Sequence, residues 1–365
     1  MVEWKKLGDV CTFNRGRTIT AKDAVDGEIP VIAGGQTPSY YHNESNRTGE
    51  SVTVAGSGAY AGFISYWNQP IFVSDAFTVD PGDLLIHKYL FHWLKRNQDK
   101  VFATQKGAGV PHVHGKDIAN FLIPIPSLLE QQKIVNFLDT FSSSNSNLKE
   151  QIAKRRKQYE YYRDQLLKLD GKDEKEIHSW GEFSEMIKGD GVQKANFIED
   201  GYGCIHYGQI YTHYGPFTYT TNRFISKEIF ENAKKASKGD IIMTDTSENV
   251  EDICKSVAYL GEKEIAVSNH ALIIKHNQEP KYLSYSTLTR SFFNQKRKYA
   301  YGVKVTGIKP DHLAQIKIYL PSISEQQRIV SILDTFEACI ANLEAQLAQR
   351  EKQYDYYRNK LLTFE

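Results

Sequence analysis

The chain has 365 residues, of which 41% are hydrophobic and 24% charged, and its formal net charge is +1 at pH 7. This length allows two or three domains, and the composition is that of an ordinary globular protein. The near-neutral charge excludes a protein that wraps DNA by charge alone, although it allows a basic face balanced by acidic residues elsewhere. No run of about 18 apolar residues occurs, so no membrane-spanning helix is expected.

The start of the chain and its cysteines favour a cytoplasmic protein. The first ten residues, MVEWKKLGDV, turn polar at once and lack the apolar core of a signal peptide. The cysteines form no CxxC pair and have no metal-like spacing with histidine, which fits a reduced protein without a structural metal. They are Cys11, Cys204, Cys254 and Cys339.

Residues 1–126 are predicted to form a first mixed α/β domain, called head 1. Short strands such as 51–55 and 71–79 are separated by Gly-rich turns. A helical stretch is predicted near 84–95. The alternation of short strands, turns and helices predicts a globular unit with its own core.

Residues 127–170 are predicted to form a long helix, and residues 322–365 repeat it. The sequence EQQKIVNFLDTF begins at Glu130 and EQQRIVSILDTF begins at Glu325, an offset of 195 residues. The offset holds without a gap along both segments, and about half of the positions are identical. Each segment starts with Pro-Ser and has a glutamate three residues after the serine, which is the spacing of a capping box.

Both long segments carry the heptad pattern of helices that pack side by side. Asn145, Arg155 and Arg350 also fall on seam positions, where polar groups either fix the register of the pair or mark an imperfect, solvated seam. A helix of about 40 residues is about 60 Å long. The predicted apolar seam includes Leu148, Ile152, Tyr159, Tyr162, Leu166, Leu343, Leu347, Tyr354, Tyr357 and Leu361.

A charged linker, residues 171–176, leads into a second mixed α/β domain, head 2, at residues 177–321. Strands are predicted at 241–244 and 271–275, with a helical stretch near 282–294. The chain is therefore predicted to follow the order globular, helix, globular, helix.

Landmarks of head 1 recur in head 2 in the same order. Trp4 is matched to Trp180 near the start of each head. The segment GVPHVHGKDIANFLIPIPS from Gly109 is matched to GVKVTGIKPDHLAQIKIYLPS from Gly302. Two divergent heads on two matched helices indicate a protein with two recognition sites, in which the helices do one structural job and the heads recognise different things.

The repeated helix, its Tyr-rich KQYxYYRxxLL ending and the two divergent heads resemble the specificity subunit of type I restriction–modification systems. The resemblance covers essentially the whole chain, and the helical repeat is its most specific part. It implies two mixed α/β target recognition domains separated by two long helices packed as an antiparallel coiled coil, with a pseudo-twofold internal repeat.

The resemblance also implies the function and the partners. Each head would recognise one half of a split double-stranded DNA sequence in the major groove. The helices would set the half-site spacing and dock two methyltransferase subunits, and restriction subunits where the complex has them. The chain itself would have no catalytic site and no cofactor, because S-adenosylmethionine is expected on the partner that methylates adenine.

The lack of common catalytic motifs in the sequence agrees with a non-catalytic chain. No [ND]PP[YF] segment is present to hold a flipped adenine. The Gly-rich AGSGAYAG from Ala55 precedes a strand-like run, whereas a phosphate-binding loop should open a helix. A metal site at His112 and His114 is not expected, because no cysteine or third histidine lies nearby.

Loop residues that can pair with base edges or phosphates are the candidate DNA contacts, since Arg and Lys suit guanine and Asn and Gln suit adenine. Each of them also has a plain alternative as an ordinary solvated loop residue. The lysine-rich run at 296–298 is expected to touch phosphate rather than bases. The candidates are Arg15, Arg17, Gln36, Tyr40, His42, Lys106, His112, His114, Gln209, Tyr211, His213, Ser247, Asn249, Lys296, Arg297, Lys298 and Lys304.

Two other classes of function fit the sequence. A coiled-coil scaffold could carry heads that bind proteins or carbohydrates, since the net charge is near zero. An enzyme with a site split between the heads would methylate DNA without a partner. The target sequence and the gap between its halves are not predicted.

Overall fold

The computed structural model describes residues 2–302 and 305–364. The chain forms two compact units: unit 1 contains Met1–Glu150 and Glu344–Glu365, and unit 2 contains Gln151–Leu343. The units therefore do not follow the linear domain boundaries. Each unit combines one head with the beginning of one long helix and the end of the other.

Head 1 consists of short strands in small sheets with short helices beside them. Its strands are β1 Glu3–Lys6, β2 Cys11–Arg15, β3 Ile29–Ile32, β4 Tyr40–His42, β5 Glu50–Ala55, β6 Ile64–Asn68, β7 Phe72–Val73, β8 Ala76–Pro81 and β9 Leu122–Ile125. Its helices are α1 Leu7–Val10, α2 His87–Arg96, α3 Gln98–Phe102 and α4 Gly115–Ile118.

The sheets of head 1 have a simple order. The main sheet is antiparallel with the order β2-β8-β5-β6, and a second sheet has the order β4-β3-β7. The first and last strands, β1 and β9, pair antiparallel and close the head where the chain enters the long helix. Helix α2 packs its apolar side, including Tyr89, Leu90 and Leu94, against the main sheet to form the core.

The first long helix, α5, spans Leu128–Leu166. The Ser127 hydroxyl accepts a hydrogen bond from the Glu130 backbone N–H at 3.3 Å, which is one half of the expected capping box. The helix lies inside the segment 127–170 for which a helix is predicted.

Head 2 repeats the plan of head 1 with additional short elements. Its strands are β10 Ile177–Ser179, β11 Ser184–Lys188, β12 Tyr202–Ile205, β13 Phe217–Thr218, β14 Arg223–Ile225, β15 Lys235–Ala236, β16 Ile241–Thr244, β17 Thr246–Ser247, β18 Ser256–Tyr259, β19 Ile265–Val267, β20 Ala271–His276, β21 Thr306–Gly307 and β22 Lys317–Tyr319. Its helices are α6 Trp180–Phe183, α7 Tyr207–Thr212, α8 Lys227–Asn232, α9 Pro280–Thr287, α10 Arg290–Tyr299 and α11 Pro310–Leu313.

The strand order of the two heads is the same. The main sheet of head 2, β11-β20-β16-β18, corresponds to β2-β8-β5-β6, and β14-β12-β19 corresponds to β4-β3-β7. Head 2 adds an edge strand to each sheet, β13 beside β18 and β15 beside β19. The structure is thus mixed α/β with a repeated head, as predicted, and the second long helix, α12, spans Ile323–Leu361. Within the described residues, none of the helices is long and apolar enough to cross a bilayer.

The structural counterpart of Trp180 is Leu7, so the match to Trp4 is wrong by three residues. Leu7 and Trp180 each begin a one-turn helix, and their N–H groups donate to Phe121 and Ile316 carbonyls at 2.9 and 3.0 Å. Both side chains are fully buried, whereas Trp4 is 42% exposed. The identical residue type suggested the match, but the step from strand to helix defines the equivalent position.

The repeated EQQ motif contains a buried glutamine that joins α5 to head 1. The Gln131 Oε1 accepts the backbone N–H of Ile86 at 2.9 Å. Its Nε2 donates to the carbonyls of Leu84 and Pro126 at 2.8 and 3.0 Å. The side chain is fully buried, so these three bonds replace all contact with water.

Gln326 joins α12 to head 2 in the same way. Its Oε1 accepts the backbone N–H of Glu279 at 3.1 Å, and its Nε2 donates to Gln278 Oε1 and the Pro321 carbonyl at 2.9 and 2.7 Å. This side chain is also fully buried. The repeat therefore preserves a polar joint that locks each helix start to the turn before α2 or α9.

The aspartate of the LDTF motif makes a second joint about two turns further along each helix. Asp139 binds Lys88 and His92 of α2. Burial acts to raise the pKa of the Asp139 carboxyl, but the hydrogen bonds from His92 and Lys88 outweigh this and hold the pKa below its usual value. Asp334 takes the same place in unit 2 and binds Lys281 at 2.8 Å.

Within each unit, pieces of the two long helices contact each other. In unit 1 the Tyr357 ring lies 5.2 Å from Phe137 and 5.6 Å from Phe141, and Lys149 pairs with Glu351 at 3.1 Å. These contacts join the beginning of α5 to the end of α12.

Unit 2 contains the reciprocal contacts. The Phe336 ring lies 6.4 Å from Tyr159 and 5.6 Å from Tyr162. They join the end of α5 to the beginning of α12, and Tyr162 stacks on Phe336 although it is 47% exposed.

The seam residues differ in burial, and their neighbours complete the packing. Leu148, Ile152 and Tyr159 are buried, and Leu166, Leu343, Leu347, Tyr354, Tyr357 and Leu361 are half-buried. Leu167 and Leu362, one position beyond the predicted seam, are nevertheless buried in the cores of the heads. The polar seam residues Arg155 and Arg350 each donate to a glutamine three residues further along the same helix.

Candidate nucleic-acid interface

Several loops of head 1 meet at one edge of its main sheet. Antiparallel pairing places Arg15 at the end of β2 opposite Phe77, and Ala55 at the end of β5 opposite Ala76. The end of β2, the end of β5 and the start of β8 therefore lie together. At the opposite end of these strands, β1 and β9 connect the sheet to the long helix. We call the end of the sheet that lies away from the long helix, where β2 and β5 stop and β8 starts, the outer edge.

A small pocket of about 210 Å³ opens at the outer edge of head 1. Arg15, His112 and His114, all predicted candidates, line it together with Ser57 and Asp75. The two imidazole rings stack with their centroids 6.2 Å apart and an angle of 7° between planes. The Ser57 hydroxyl donates to the Asp75 carboxylate. Ser57 and Asp75 are not among the predicted contacts, although Ser57 belongs to the Gly-rich AGSG segment.

Two candidates of head 1 are engaged inside the domain, which argues against their predicted DNA contacts. His42 is only 4% exposed, and its Nδ1 accepts the Val25 backbone N–H at 3.0 Å. The Tyr40 hydroxyl donates to the carbonyl of Ile19 at 2.6 Å. Both residues lie in strand β4, where alternate side chains point inward, and not in a loop as predicted.

The remaining candidates of head 1 are exposed. Gln36 lies in the bend after β3, and Arg17 follows β2 with its guanidinium 5.1 Å from the ring centroid of Phe72. Arg17 also pairs with Glu44 at 3.8 Å across exposed side chains, a contact that contributes little to stability. These residues stay predicted DNA contacts.

Lys106 and His112 hold a hairpin whose tip is exposed. Their backbone groups exchange hydrogen bonds of 3.0 and 2.8 Å. The Lys106 ammonium binds Asp117 at 2.5 Å, and this hydrogen bond lowers the pKa of the Asp117 carboxyl. The same hairpin in head 2 joins Tyr301 to Gly307. The counterpart of Gly302 is therefore Gly107 and not Gly109, so the predicted match from Gly109 is wrong by two residues.

Replacing Gly107 by alanine is expected to destabilise the hairpin by about 1–2 kcal/mol. Gly107 has φ +116°, and an added Cβ would lie 2.5 Å from the carbonyl oxygen of Val110. Gly109 is the matched control, because a Cβ there would meet nothing within 4 Å. Denaturant unfolding of the two variants measures the difference. Equal stability of G107A and G109A would contradict the predicted strain.

Main-chain hydrogen bonds define the corresponding edge of head 2. In head 1 the N–H of Gly16 donates to the carbonyl of Ala76, the first residue of β8. In head 2 the N–H of Gly189 donates to the carbonyl of Ala271, the first residue of β20, and both distances are 2.9 Å. Lys188, just before Gly189, therefore occupies the place of Arg15. Lys188 is not among the predicted contacts, although it stands directly before the Gly-Asp-Gly sequence at residues 189–191.

The outer edge of head 2 carries a polar cluster. Lys188 Nζ lies 3.2 Å from the carboxylate of Asp245, and the Thr246 hydroxyl donates to Asp245 at 2.9 Å. His270 Nδ1 lies 3.2 Å from that hydroxyl, and its backbone is left-handed with φ 66°. A left-handed histidine is uncommon, and strained residues of this kind concentrate at functional sites.

Most polar atoms of the predicted residues in head 2 are engaged in holding its loops. Gln209 accepts the backbone N–H of His206 at 2.9 Å and caps α7. The Tyr211 hydroxyl donates to the Thr246 carbonyl, and Ser247, which is buried, donates to the Asn249 carbonyl.

Two further head 2 candidates, Asn249 and His213, lie at exposed positions. Asn249 binds Asp252 through both its amide nitrogen and its oxygen, at 2.8 and 2.7 Å. His213, at the end of α7, is exposed. We infer loop support for Gln209, Tyr211, Ser247 and Asn249, and His213 stays a candidate for DNA contact.

In the lysine-rich run at 296–298, which is predicted to touch phosphate, one residue is buried and two are exposed. Lys296 is only 4% exposed and donates to the carbonyls of Glu251 and Ile253 at 2.9 and 2.6 Å. Burial lowers the pKa of its ammonium. Arg297 and Lys298 are exposed and still able to meet phosphates. Lys304 lies outside the described residues.

Replacing Lys296 by methionine is expected to lower the free energy of unfolding by about 1–3 kcal/mol, because two buried carbonyls lose their donor. The same change at exposed Lys298 is expected to alter it by less than about 0.5 kcal/mol. Denaturant titration of both variants measures this. If K296M unfolds like the parent and only weakens DNA binding, Lys296 is a phosphate contact after all.

The described residues contain no group of three or more side chains placed to hold a metal ion. His112 and His114 stack on each other without a third ligand among them. The interface offered by these edges is thus made of arginine, lysine, histidine, carboxylate and hydroxyl groups, which are the groups that recognise base edges and phosphates.

The sequence matches the type I restriction modification DNA specificity domain over residues 1–155 and 172–352. The chain therefore belongs to the family of type I restriction–modification DNA specificity proteins. It is 26% identical to a putative type I restriction enzyme specificity subunit of Haemophilus influenzae, with 100% of this chain and 96% of the relative covered. It is 27% identical to the EcoR124I/EcoR124II specificity subunit of Escherichia coli, with 100% and 94% covered.

Solved structures show the same fold. The S subunit of a type I restriction–modification system from M. genitalium superposes with a TM-score of 0.63 at 17% identity, covering 100% of this chain and 97% of that one. A chain from a study of complex assembly and conformational transition in the type I R-M system gives a TM-score of 0.59 at 17% identity, with 99% and 97% covered.

Proposed function

We propose that this chain is the DNA sequence-recognition subunit of a type I restriction–modification complex, with each head recognising one half of a bipartite duplex target. The observation that carries this proposal is the pair of outer edges. The two heads have the same strand order, but their equivalent edge positions carry different polar groups. Two heads with the same strand order but different side chains at their outer edges are suited to recognise two different half-sites.

The long helices are proposed to pair as an antiparallel coiled coil that sets the gap between the half-sites. Support comes from the reciprocal contacts inside each unit. The beginning of α5 meets the end of α12 in unit 1, and the end of α5 meets the beginning of α12 in unit 2. That is the direction of contact expected for antiparallel partners.

The expected partners are double-stranded DNA and two methyltransferase subunits docked on the helices, with restriction subunits where the complex includes them. The chain would contribute recognition and no catalytic group. S-adenosylmethionine would bind to the methyltransferase partner, which would methylate adenine. The names of the relatives support a specificity role, and a cytoplasmic location follows from the substrate. A scaffold with heads that bind proteins or carbohydrates has no support among these relatives.

Salt-dependent binding of the assembled complex to duplex DNA tests this function. Phosphate contacts release counterions, so the binding constant should fall steeply as salt rises, and a duplex with the target should bind more tightly than a scrambled one. A complex that binds both duplexes equally at every salt concentration would contradict a recognition role. Methylation by this chain alone, with S-adenosylmethionine and no partner, would instead support an enzyme.

A further inference from the structure

One carboxylate in the pocket at the outer edge of head 1 has an oxygen available for a ligand. The Ser57 hydroxyl donates to Oδ2 of Asp75 and holds the carboxylate in place. Oδ1 of Asp75 makes no hydrogen bond to any part of the chain that the structure describes. Asp75 is half-buried, so an oxygen without a donor there is costly unless water or a ligand reaches it.

The loop that carries Ser57 is fixed by close backbone contact. A Cβ added to Gly34 would lie 2.2 Å from the Ser57 carbonyl oxygen, so only glycine allows this approach. The Ser57–Asp75 pair is thereby positioned on a rigid support, which is what discrimination between bases requires. The Asp75 carboxylate is therefore a hydrogen-bond acceptor that is held in a fixed position.

Arg15 supplies donors at the rim of the same pocket. Its side chain is exposed and forms no ion pair among the residues described in the structure. A guanidinium can donate two hydrogen bonds to O6 and N7 of guanine. The pocket thus sets a strong acceptor beside a free bidentate donor.

The two heads place a hydroxyl at the same point of this edge. The N–H of Val113 donates to the carbonyl of Gly56, and that of Ile308 donates to the carbonyl of Asp245, both at 3.0 Å. The residue after each acceptor is therefore equivalent, a serine in head 1 and a threonine in head 2. This correspondence is independent of the pocket.

The hydroxyls meet different partners in the two heads. Ser57 holds Asp75, whereas Thr246 lies 3.2 Å from His270 Nδ1. Asp75 and His270 both precede the last long strand of the main sheet, β8 or β20. Thr246 donates to its neighbour Asp245, so the residue that faces the hydroxyl from the start of this strand is a carboxylate in head 1 and an imidazole in head 2.

We propose, resting on the proposed function, that Asp75 and Arg15 are the base-specifying pair of head 1. Asp75 Oδ1 accepts a hydrogen bond from the exocyclic amino group of cytosine or adenine, and Arg15 donates to a neighbouring guanine. A carboxylate repels the acceptor atoms of guanine and thymine in the major groove, so it also rejects the wrong bases. His270 is the corresponding residue of head 2 and selects a different base.

The test uses the chain assembled with its methyltransferase partner and a library of duplexes randomised in both half-sites, followed by sequencing of the methylated products. Asp75→Asn should weaken the preference for an amino base at one position of the first half-site by about 5-fold to 150-fold. Arg15→Gln should do the same to a preference for guanine. His270→Asn should change the second half-site only. Asp26→Asn, an exposed acidic residue outside the pocket, is the control.

The outcomes separate this inference from the proposed function. A parent complex without any sequence preference would overturn both. A selective parent whose preferences survive unchanged in D75N and R15Q would overturn the inference alone. If D75N unfolds at a lower temperature than the parent, R15Q decides, because Arg15 is exposed and its replacement leaves the core intact. If R15Q keeps the parent's preference for guanine, the proposal that Asp75 and Arg15 specify bases is wrong.

Discussion

Replacing Gln131 by alanine is expected to lower the free energy of unfolding by about 2–4 kcal/mol. The change leaves the Ile86 N–H and the carbonyls of Leu84 and Pro126 without their buried partner. It also opens a cavity at the joint between head 1 and α5. Each unsatisfied group costs about 1–3 kcal/mol, and entry of a water molecule recovers part of this. Denaturant unfolding of the full chain measures the loss.

The neighbouring glutamine gives a matched control. Gln132 belongs to the same EQQ motif but is exposed, and it donates along its own helix to Asn136 at 2.8 Å. Q132A is therefore expected to change the stability by less than about 0.5 kcal/mol. Gln326→Ala and Gln327→Ala form the equivalent pair in unit 2. Similar effects of buried and exposed glutamines would show that the motif is not a joint.

Inserting four helical residues after Glu150 and four after Leu343 is expected to lengthen the gap between half-sites by one or two base pairs. These points are the boundaries of the two units on α5 and α12. Four residues add about 6 Å of rise and turn the helix by about 40° beyond a full turn. A base pair contributes about 3.4 Å and about 35°. The added helix length therefore corresponds to about two base pairs, and the added helix rotation corresponds to about one.

The gap is measured by sequencing the adenines that the assembled complex methylates on a library with variable spacers. An insertion of the same four residues after Lys172, in the linker before head 2, is the control and is expected to leave the gap unchanged. A gap that stays fixed in the helix variant, with methylation intact, would show that the helices do not determine the spacing.

The helices could be predicted from the sequence because their information is local and repeated. The heptad pattern and the Ser127 cap depend on neighbours within a few residues. The role of Gln131 could not be predicted in this way, because two of its three partners lie in the turn before α2, about 45 residues earlier.

The contact residues were harder to predict, because residue type alone does not determine burial. Lys296 and Lys298 look alike in the sequence, but one is buried under two carbonyls and the other is exposed. Asp75 is not among the predicted contacts, because that prediction selects no carboxylate and favours arginine, lysine and amide side chains for base pairing. Its position beside Ser57 depends on the pairing of β5 with β8, which brings separate loops together.

The most direct measurement is the map of methylated adenines in cells that carry the parent chain or a chain whose residues 1–126 come from the Haemophilus influenzae relative. Two heads that act independently predict that one half of the methylated sequence changes, while the other half and the gap stay the same. Methylation that changes in both halves, or that does not depend on this chain at all, would contradict the account.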